Sequence, residues 1–253
     1  ATAANYSFTY TSGSVVIEKK TLTVTASSHS VTYGDAKPTV SPSYDGFVNS
    51  QNATALTTAP TCDTTYSTTS GFGTVASTCS GGVATNYSFS FTPGVISVAK
   101  KTLTVTASSH IVTYGDSAPS PTPSYVGWVN SQGVGALTTA PSCTTAYTNT
   151  TAVASSGIAT SCSGGLAANY AFTFVTGAIT INAKGVVVTA SSPTVTYGDA
   201  VPSITASYGD FVNGQSSSVV SNTSCTTVYV RTSNVGSLPA TSCSGATASN
   251  YSF

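Results

Sequence analysis

Residues 21–26 read TLTVTA, and the alternation of Leu22, Val24 and Ala26 with threonine is the period of two expected of a half-buried β-strand. The same six letters return at Thr102–Ala107, and Val186–Ala190 carries the pattern a third time. Threonine and valine both suit a pleated surface with one face covered. Further along, Tyr87, Phe89 and Phe91 share a face, and Thr92-Pro93-Gly94 supplies a turn before Val95–Val98, which reads as a hairpin. Helical periodicity is missing, and Gly, Pro, Asn and Ser clusters punctuate the chain roughly every 8–12 residues, as in a sandwich of short antiparallel strands. About seven strands per repeat are expected. The fold class is therefore all-β, with immunoglobulin-like antiparallel β-sandwich repeats in tandem forming an elongated rod.

Repetition is explicit. Asn-Tyr-small-Phe occurs at Asn5, Asn86, Asn169 and Asn250, so the copies are 81, 83 and 81 residues apart. Val-Thr-Tyr-Gly-Asp-x-x-Pro occurs at 31–38, 112–119 and 195–202. The last strand of one repeat runs into the first of the next, as in Val95–Val105, with no Gly/Ser or Pro-rich spacer of the kind a flexible linker needs. Similar extended segments cross at 14–24 and 178–188, the latter interrupted only by Gly185. Restricted bending follows, with each repeat touching only its neighbours. The implied division is a terminal hairpin of a preceding repeat at 1–18, repeats at 19–99 and 100–183, and a third repeat at 184–253 lacking its last strand.

Each repeat, at about 80 residues, lies near the lower limit for folding on an apolar core alone. Charged residues are 6% of the chain, the net charge is zero, and Ser and Thr make up roughly a third of it. Neither nucleic acid nor an anionic membrane is attracted to such a surface. No stretch is apolar for long enough to span a membrane, and no secretion signal opens the sequence. There is no methionine, so the start, any signal and any anchor are expected outside these residues.

The six cysteines fall as Cys62/Cys79, Cys143/Cys162 and Cys225/Cys243, one pair per repeat. Turn residues lie midway, at Ser70-Gly71 and beside Val235-Gly236, whereas Ala152-Val153 is a weaker signal. If each intervening stretch is a hairpin, the partners face each other within disulfide range. Each bridge would contribute roughly 3 kcal/mol in the chain-entropy model. Zinc would need clustered cysteines or nearby histidines, and neither occurs. Disulfides place the chain in an oxidising, extracytoplasmic compartment.

The recurrent Tyr33-Gly34-Asp35…Pro38, Tyr114-Gly115-Asp116…Pro119 and Tyr197-Gly198-Asp199…Pro202 read as structural turns. Glycine admits a positive φ, aspartate caps nearby backbone, and proline ends the turn extended. Calcium would want several carboxylates, and the nearest second acid, Asp45, is Val126 in the next repeat. No catalytic residue, cofactor site or metal site is assigned. The two histidines, His29 and His110, give way to Pro193 in the third repeat, a substitution no general base would survive. No serine has a histidine and carboxylate in a recognisable motif, and the single glutamate, Glu18, leaves no carboxylate pair for glycoside hydrolysis. Trp128 stands where Phe47 and Phe211 stand and reads as a core aromatic rather than a glycan platform.

Taken in order, Leu-Thr-Val-Thr-Ala, Tyr-Gly-Asp-x-x-Pro, aromatic-Val-Asn, Cys-Ser-Gly, Asn-Tyr-x-Phe and Gly-x-Ile-x-Val resemble the MBG repeat domain of large secreted bacterial adhesin-like surface proteins. The resemblance covers essentially the whole chain. It implies non-enzymatic stalk or fibre modules on the cell surface or in a secreted filament, whose partners are further copies of the repeat in the same chain or in a fibre. The cysteine bridge is read from spacing, not carried over. An adhesive module binding a glycan or a host surface ligand is the alternative. The shared ATAANYSF (1–8) and ATASNYSF (246–253) phrases admit two explanations: a window on a long repetitive polypeptide, or a leading strand of one chain completing the trailing repeat of the next.

Overall fold

The computed structural model describes residues 1–155 and 157–253. It is all-β, 41% strand and 4% helical, and divides into two compact units. Unit 1 comprises Ala1–Lys101, Val129–Gln132 and Ala168–Tyr170; unit 2 comprises Thr102–Trp128, Gly133–Ala167 and Ala171–Phe253.

The first repeat contains β1 (Lys20–Ala26), β2 (His29–Thr32), β3 (Pro42–Asp45), β4 (Thr61–Thr64), β5 (Gly73–Ser80), β6 (Tyr87–Thr92) and β7 (Gly94–Ala99). They form a three-stranded sheet, β3-β1-β6, and a four-stranded one, β2-β7-β5-β4. The alternation in TLTVTA is realised directly: Leu22, Val24 and Ala26 are buried and the intervening threonines are not. Ile96 and Val98 of β7 fill the same role in the second sheet.

Two expectations are corrected. The sheets are mixed rather than antiparallel, because β1 runs parallel to β6 and β2 parallel to β7, although β1–β3, β4–β5 and β5–β7 are antiparallel. Nor do β6 and β7 form a hairpin, since they belong to different sheets. The chain changes sheet at Ser27-Ser28 between β1 and β2, and again at Pro93 between β6 and β7, and the two corners nest. A Cβ on Gly94 would collide with the carbonyl oxygens of Ala26 and Ser27 and with the Ser77 hydroxyl. The Ser77 hydroxyl donates to the Ser27 carbonyl at 2.8 Å, and the Val95 N–H donates to Ser28 Oγ at 3.0 Å. Gly94 is thus needed for close approach of two backbones rather than for a tight turn.

The second repeat copies this plan with β8 (Lys101–Ala107), β9 (His110–Thr113), β10 (Pro123–Val126), β11 (Ser142–Thr145), β12 (Ile158–Ser163), β13 (Tyr170–Val175) and β14 (Gly177–Asn182). Its sheets are β10-β8-β13 and β11-β12-β14-β9. The third repeat has β15 (Lys184–Gly185), β16 (Val188–Ala190), β17 (Ala206–Tyr208), β18 (Ser224–Thr227), β19 (Thr241–Ser244) and β20 (Tyr251–Ser252). These pair only two by two, as β15-β20, β16-β17 and β18-β19. A single residue, Lys100 or Ala183, separates β7 from β8 and β14 from β15.

Residues 1–18 do not form the expected hairpin. Among the described residues their only pairing is an isolated bridge between Ala3 and Tyr6, and Val15, Val16 and Ile17 are 82–91% exposed. Inside the first two repeats the corresponding strand lies between two neighbours of its own repeat, and residues 14–17 have no such neighbours.

All six cysteines are bridged as the spacing indicates, Cys62–Cys79, Cys143–Cys162 and Cys225–Cys243. Each pair sits directly opposite on antiparallel strands, with Cα atoms 3.9–4.0 Å apart. The middle repeat forms its bridge despite the weak turn signal at Ala152-Val153.

Candidate functional site

The recurrent motifs converge where one repeat meets the next. The Tyr-Gly-Asp stretch makes a turn in which the Asp35 N–H donates to the Thr32 carbonyl (2.9 Å) while the Thr32 N–H donates to Asp35 Oδ2 (2.7 Å). Thr113/Asp116 and Thr196/Asp199 repeat the bond to the carboxylate at 2.8 and 2.7 Å. The aspartate therefore caps backward, onto an N–H three residues earlier, and its carboxylate is committed to the fold. Gly34, Gly115 and Gly198 have φ of +90, +94 and +91°, so a side chain would be strained at each.

The Val-Asn-x-Gln stretch forms the opposing turn. Asn49 and Ser50, Asn130 and Ser131, and Asn213 and Gly214 all have positive φ, as a type I′ turn demands at both central positions. The Gln51, Gln132 and Gln215 N–H groups close it onto the Val48, Val129 and Val212 carbonyls at 3.1 Å. From below, the hydroxyls of Tyr87, Tyr170 and Tyr251 donate to the same glutamines at 2.5–2.6 Å. The tyrosine of Asn-Tyr thus orients the turn.

Within unit 1 these two turns meet. Val129 sits over Gly34, where a Cβ would lie 2.6 Å from its Cγ2, and Tyr33 meets Tyr170 edge-on at 5.6 Å. The Asn130 amide donates to the Thr68 carbonyl (2.8 Å), and the Phe72 N–H donates to Asn169 Oδ1 (2.9 Å). Within unit 2 every contact recurs one repeat later: Val212 over Gly115, where a Cβ would lie 2.6 Å from its Cγ2, Tyr114 against Tyr251 at 5.5 Å, Asn213 to the Asn149 carbonyl at 2.8 Å, and the Val153 N–H to Asn250 Oδ1 at 2.9 Å. One apolar cluster there joins Val112, Tyr114 and Tyr147 of the second repeat to Val186 and Tyr251 of the third. The motifs do not mark these joints, because each of their residues also has a local reason to occur in a turn or strand. The one available signal was that Asn-Tyr and Val-Asn-x-Gln recur unchanged in repeats whose other loops vary.

Tyr66 and Tyr147 brace the joint from inside their repeats, donating to the Asp35 and Asp116 carbonyls at 2.9 and 3.1 Å. Burial, with a smaller push from the neighbouring Asp35 or Asp116 carboxylate, raises both phenols above the ordinary tyrosine value.

Other candidate chemistry resolves into structure. His29 and His110 each lie 2.9 Å from a serine hydroxyl, Ser27 or Ser108. Those hydroxyls also accept the Ser41 and Thr122 N–H groups, and Ser191 accepts the Thr205 N–H identically where no histidine is present. The serine is a strand tie, and the histidine is incidental to it. Trp128 lies against Tyr125 at 5.7 Å, as Phe47 lies against Tyr44 and Phe211 against Tyr208. Among the described residues no group of three or more His, Cys, Asp or Glu could hold a metal ion, and no helix is long and apolar enough to cross a membrane.

The family described as MBG domain (YGX type) matches residues 22–97, 103–180 and 186–253. No curated protein and no solved structure matches the chain.

Proposed function

The chain belongs to the MBG domain family of the YGX type, and from that premise we propose that it is a structural module of an extracellular surface protein, a stiff stalk of immunoglobulin-like sandwiches joined end to end. The observation that carries the reading is the use made of the recurrent residues. Tyrosine, glycine, valine and asparagine of the shared motifs are spent on the neighbouring repeat, through the same contacts in each unit, and not on an exposed constellation that a ligand would need. Connectors of one residue and an apolar cluster shared by two repeats both oppose bending. Three disulfides are consistent with an oxidising exterior.

Small-angle scattering tests the stalk. A globular chain of this length would have a radius of gyration of roughly 18 Å; a value well above that, with a distance distribution tailing to long separations, is expected, and one near it would reject the reading. Specific binding of the isolated repeats on a glycan array would favour the adhesive role instead.

A further inference from the structure

The first and last segments of a repeat lie side by side and run the same way. In the first repeat each residue of the entering segment pairs with the residue 67 positions later. Lys20 pairs with Tyr87 and Thr25 with Thr92 where β1 lies along β6; His29 pairs with Ile96 and Thr32 with Ala99 where β2 lies along β7, and both pairings are parallel. The Lys20 N–H donates to the Asn86 carbonyl and the Tyr33 N–H to the Ala99 carbonyl, each at 2.9 Å, so this ribbon is tied at both tips. The second repeat repeats the plan. There β9 runs parallel to β14, from His110 beside Ile179 to Thr113 beside Asn182, and β8 neighbours β13. The Lys101 and Tyr114 N–H groups tie its tips to the Asn169 and Asn182 carbonyls at 2.9 Å. The chain therefore enters each of these repeats at one end of a ribbon and leaves at the other end, on the adjacent strand.

That topology fixes what tension does. A pull on the chain draws Lys20 and Ala99 in opposite directions along neighbouring parallel strands, and the hydrogen bonds of the ribbon are strained together, in shear. Antiparallel end strands, which begin and finish at the same end, would be peeled apart one bond at a time. Sliding is opposed again at the middle of the ribbon, where the sheet-changing corners nest. Gly94 is wedged under the Ala26 and Ser27 carbonyls, held by the Ser77 hydroxyl on the Ser27 carbonyl (2.8 Å) and the Val95 N–H on Ser28 Oγ (3.0 Å). Gly177 sits likewise under the Ala107 and Ser108 carbonyls, with Thr160 donating to the Ser108 carbonyl (2.8 Å) and the Ala178 N–H to Ser109 Oγ (3.1 Å). Ser77 and Thr160 are fully buried, so water does not compete for these bonds.

The disulfides stand off this path. Cys62–Cys79 joins β4 to β5 and Cys143–Cys162 joins β11 to β12, and none of these four strands belongs to a ribbon. A bridge so placed does not hold the ribbon shut. It withholds the residues between its two cysteines from extension once the ribbon has parted.

We propose that the first and second repeats are tension-bearing devices, each a shear clamp made by its entering and leaving segments, with a disulfide that limits how far the repeat lengthens when the clamp yields. The proposal rests on the stalk reading for the source of the tension, and deepens it by assigning the resisting parts. The corner glycine and its serine or threonine ties are the catch against sliding. Leu22, Val24, Ile96 and Val98, all 0–2% exposed, anchor the two segments of the first repeat in its core.

Pulling single molecules of the 253-residue chain from handles at its two ends tests this. Discrete ruptures of the first and second repeats are expected. Dithiothreitol should lengthen the extension after each, by about 60 Å for the cysteine separation of 17 and about 70 Å for that of 19, at up to ~3.6 Å per residue. Ser28→Ala with Ser77→Ala should weaken one rupture, and Ser109→Ala with Thr160→Val the other. Thr64 donates to the Ala76 carbonyl at 2.7 Å, away from the ribbon. Forced unfolding follows the barrier rather than the equilibrium, so Thr64→Val should lower the chemical-denaturation midpoint and leave the rupture force unchanged. Gradual lengthening without discrete ruptures, forces indifferent to both corner pairs, or forces that fall as far in Thr64→Val as in the corner variants would overturn the clamp. Extensions unmoved by dithiothreitol would overturn the limiter. The stalk reading fails separately, through scattering of the chain at rest.

Discussion

Gly34 and Gly198 share a backbone conformation but not an environment. Both have φ near +90°, yet Gly34 lies under Val129 and Gly198 lies in open space. Substitution by alanine therefore incurs conformational strain of about 1 kcal/mol at either site, and at Gly34 an additional overpacking cost of roughly 1–3 kcal/mol. Gly34→Ala is expected to lower the chemical-denaturation midpoint distinctly more than Gly198→Ala; equal shifts would mean that Val129 moves aside at no cost. From sequence the turn itself was readable, because glycine, aspartate and proline each have a local reason to occur in one. The packing of Val129 on Gly34 was not, because it depends on a residue 95 positions away that no local pattern marks. Cysteine pairing, by contrast, was legible because a covalent partner across a hairpin has to lie at symmetric distance from the turn. At this scale charge contributes little: Lys37–Asp63 at 2.7 Å is exposed, so solvent screens it, and it does not recur in the other repeats.

Strands are held to one another by tyrosines as well as by ladders. Tyr66, just beyond β4, donates to the Asp35 carbonyl just beyond β2, and Tyr147 does the same in the second repeat. Their phenols are raised in the folded state, so the folded chain holds these protons more tightly than the unfolded chain, whose tyrosines ionise near pH 10. The stabilisation is fully present below about pH 10 and is lost as pH climbs from there through the raised folded-state values. In denaturant titrations from pH 8 to 11.5, stability should fall steeply above pH 10, and a Tyr66→Phe, Tyr147→Phe double variant should begin less stable by about 1 kcal/mol for each lost hydrogen bond but fall less steeply. A double variant with an undiminished alkaline slope would assign the loss to other tyrosines. Element identity was open to sequence reading wherever one face alternates, as in TLTVTA. Pairing was not: YSFSF-TPG-VISV has the pattern of a hairpin, and what separates β6 from β7 is the nesting of two sheet-changing corners, a property of four segments at once.

The whole chain is best regarded as a series of coupled repeats whose couplings are nearly identical. The period could be seen in the sequence, and so could the lack of spacers, but the coupling could not, since its bonds join residues as far apart as Phe72 and Asn169, 97 positions away. Within unit 2 the cluster that includes Tyr114, Tyr147, Val186 and Tyr251, with Val212 packed against it, belongs to neither repeat alone. Nearest-neighbour terms of this kind make adjacent repeats unfold together even when each is marginal by itself. Val212→Asp would place a carboxylate over Gly115 in that cluster, and a loss of roughly 2–3 kcal/mol is expected from burying an unpaired charge. Val48→Asp changes the same position of the turn in the first repeat, where Val48 is 42% exposed, and should cost little. In calorimetry, Val212→Asp should split one cooperative transition into two, while Val48→Asp should leave its shape unchanged. A single unbroken transition in the Val212→Asp chain would show that the strand continuity from β14 to β15, rather than the side-chain joint, transmits cooperativity.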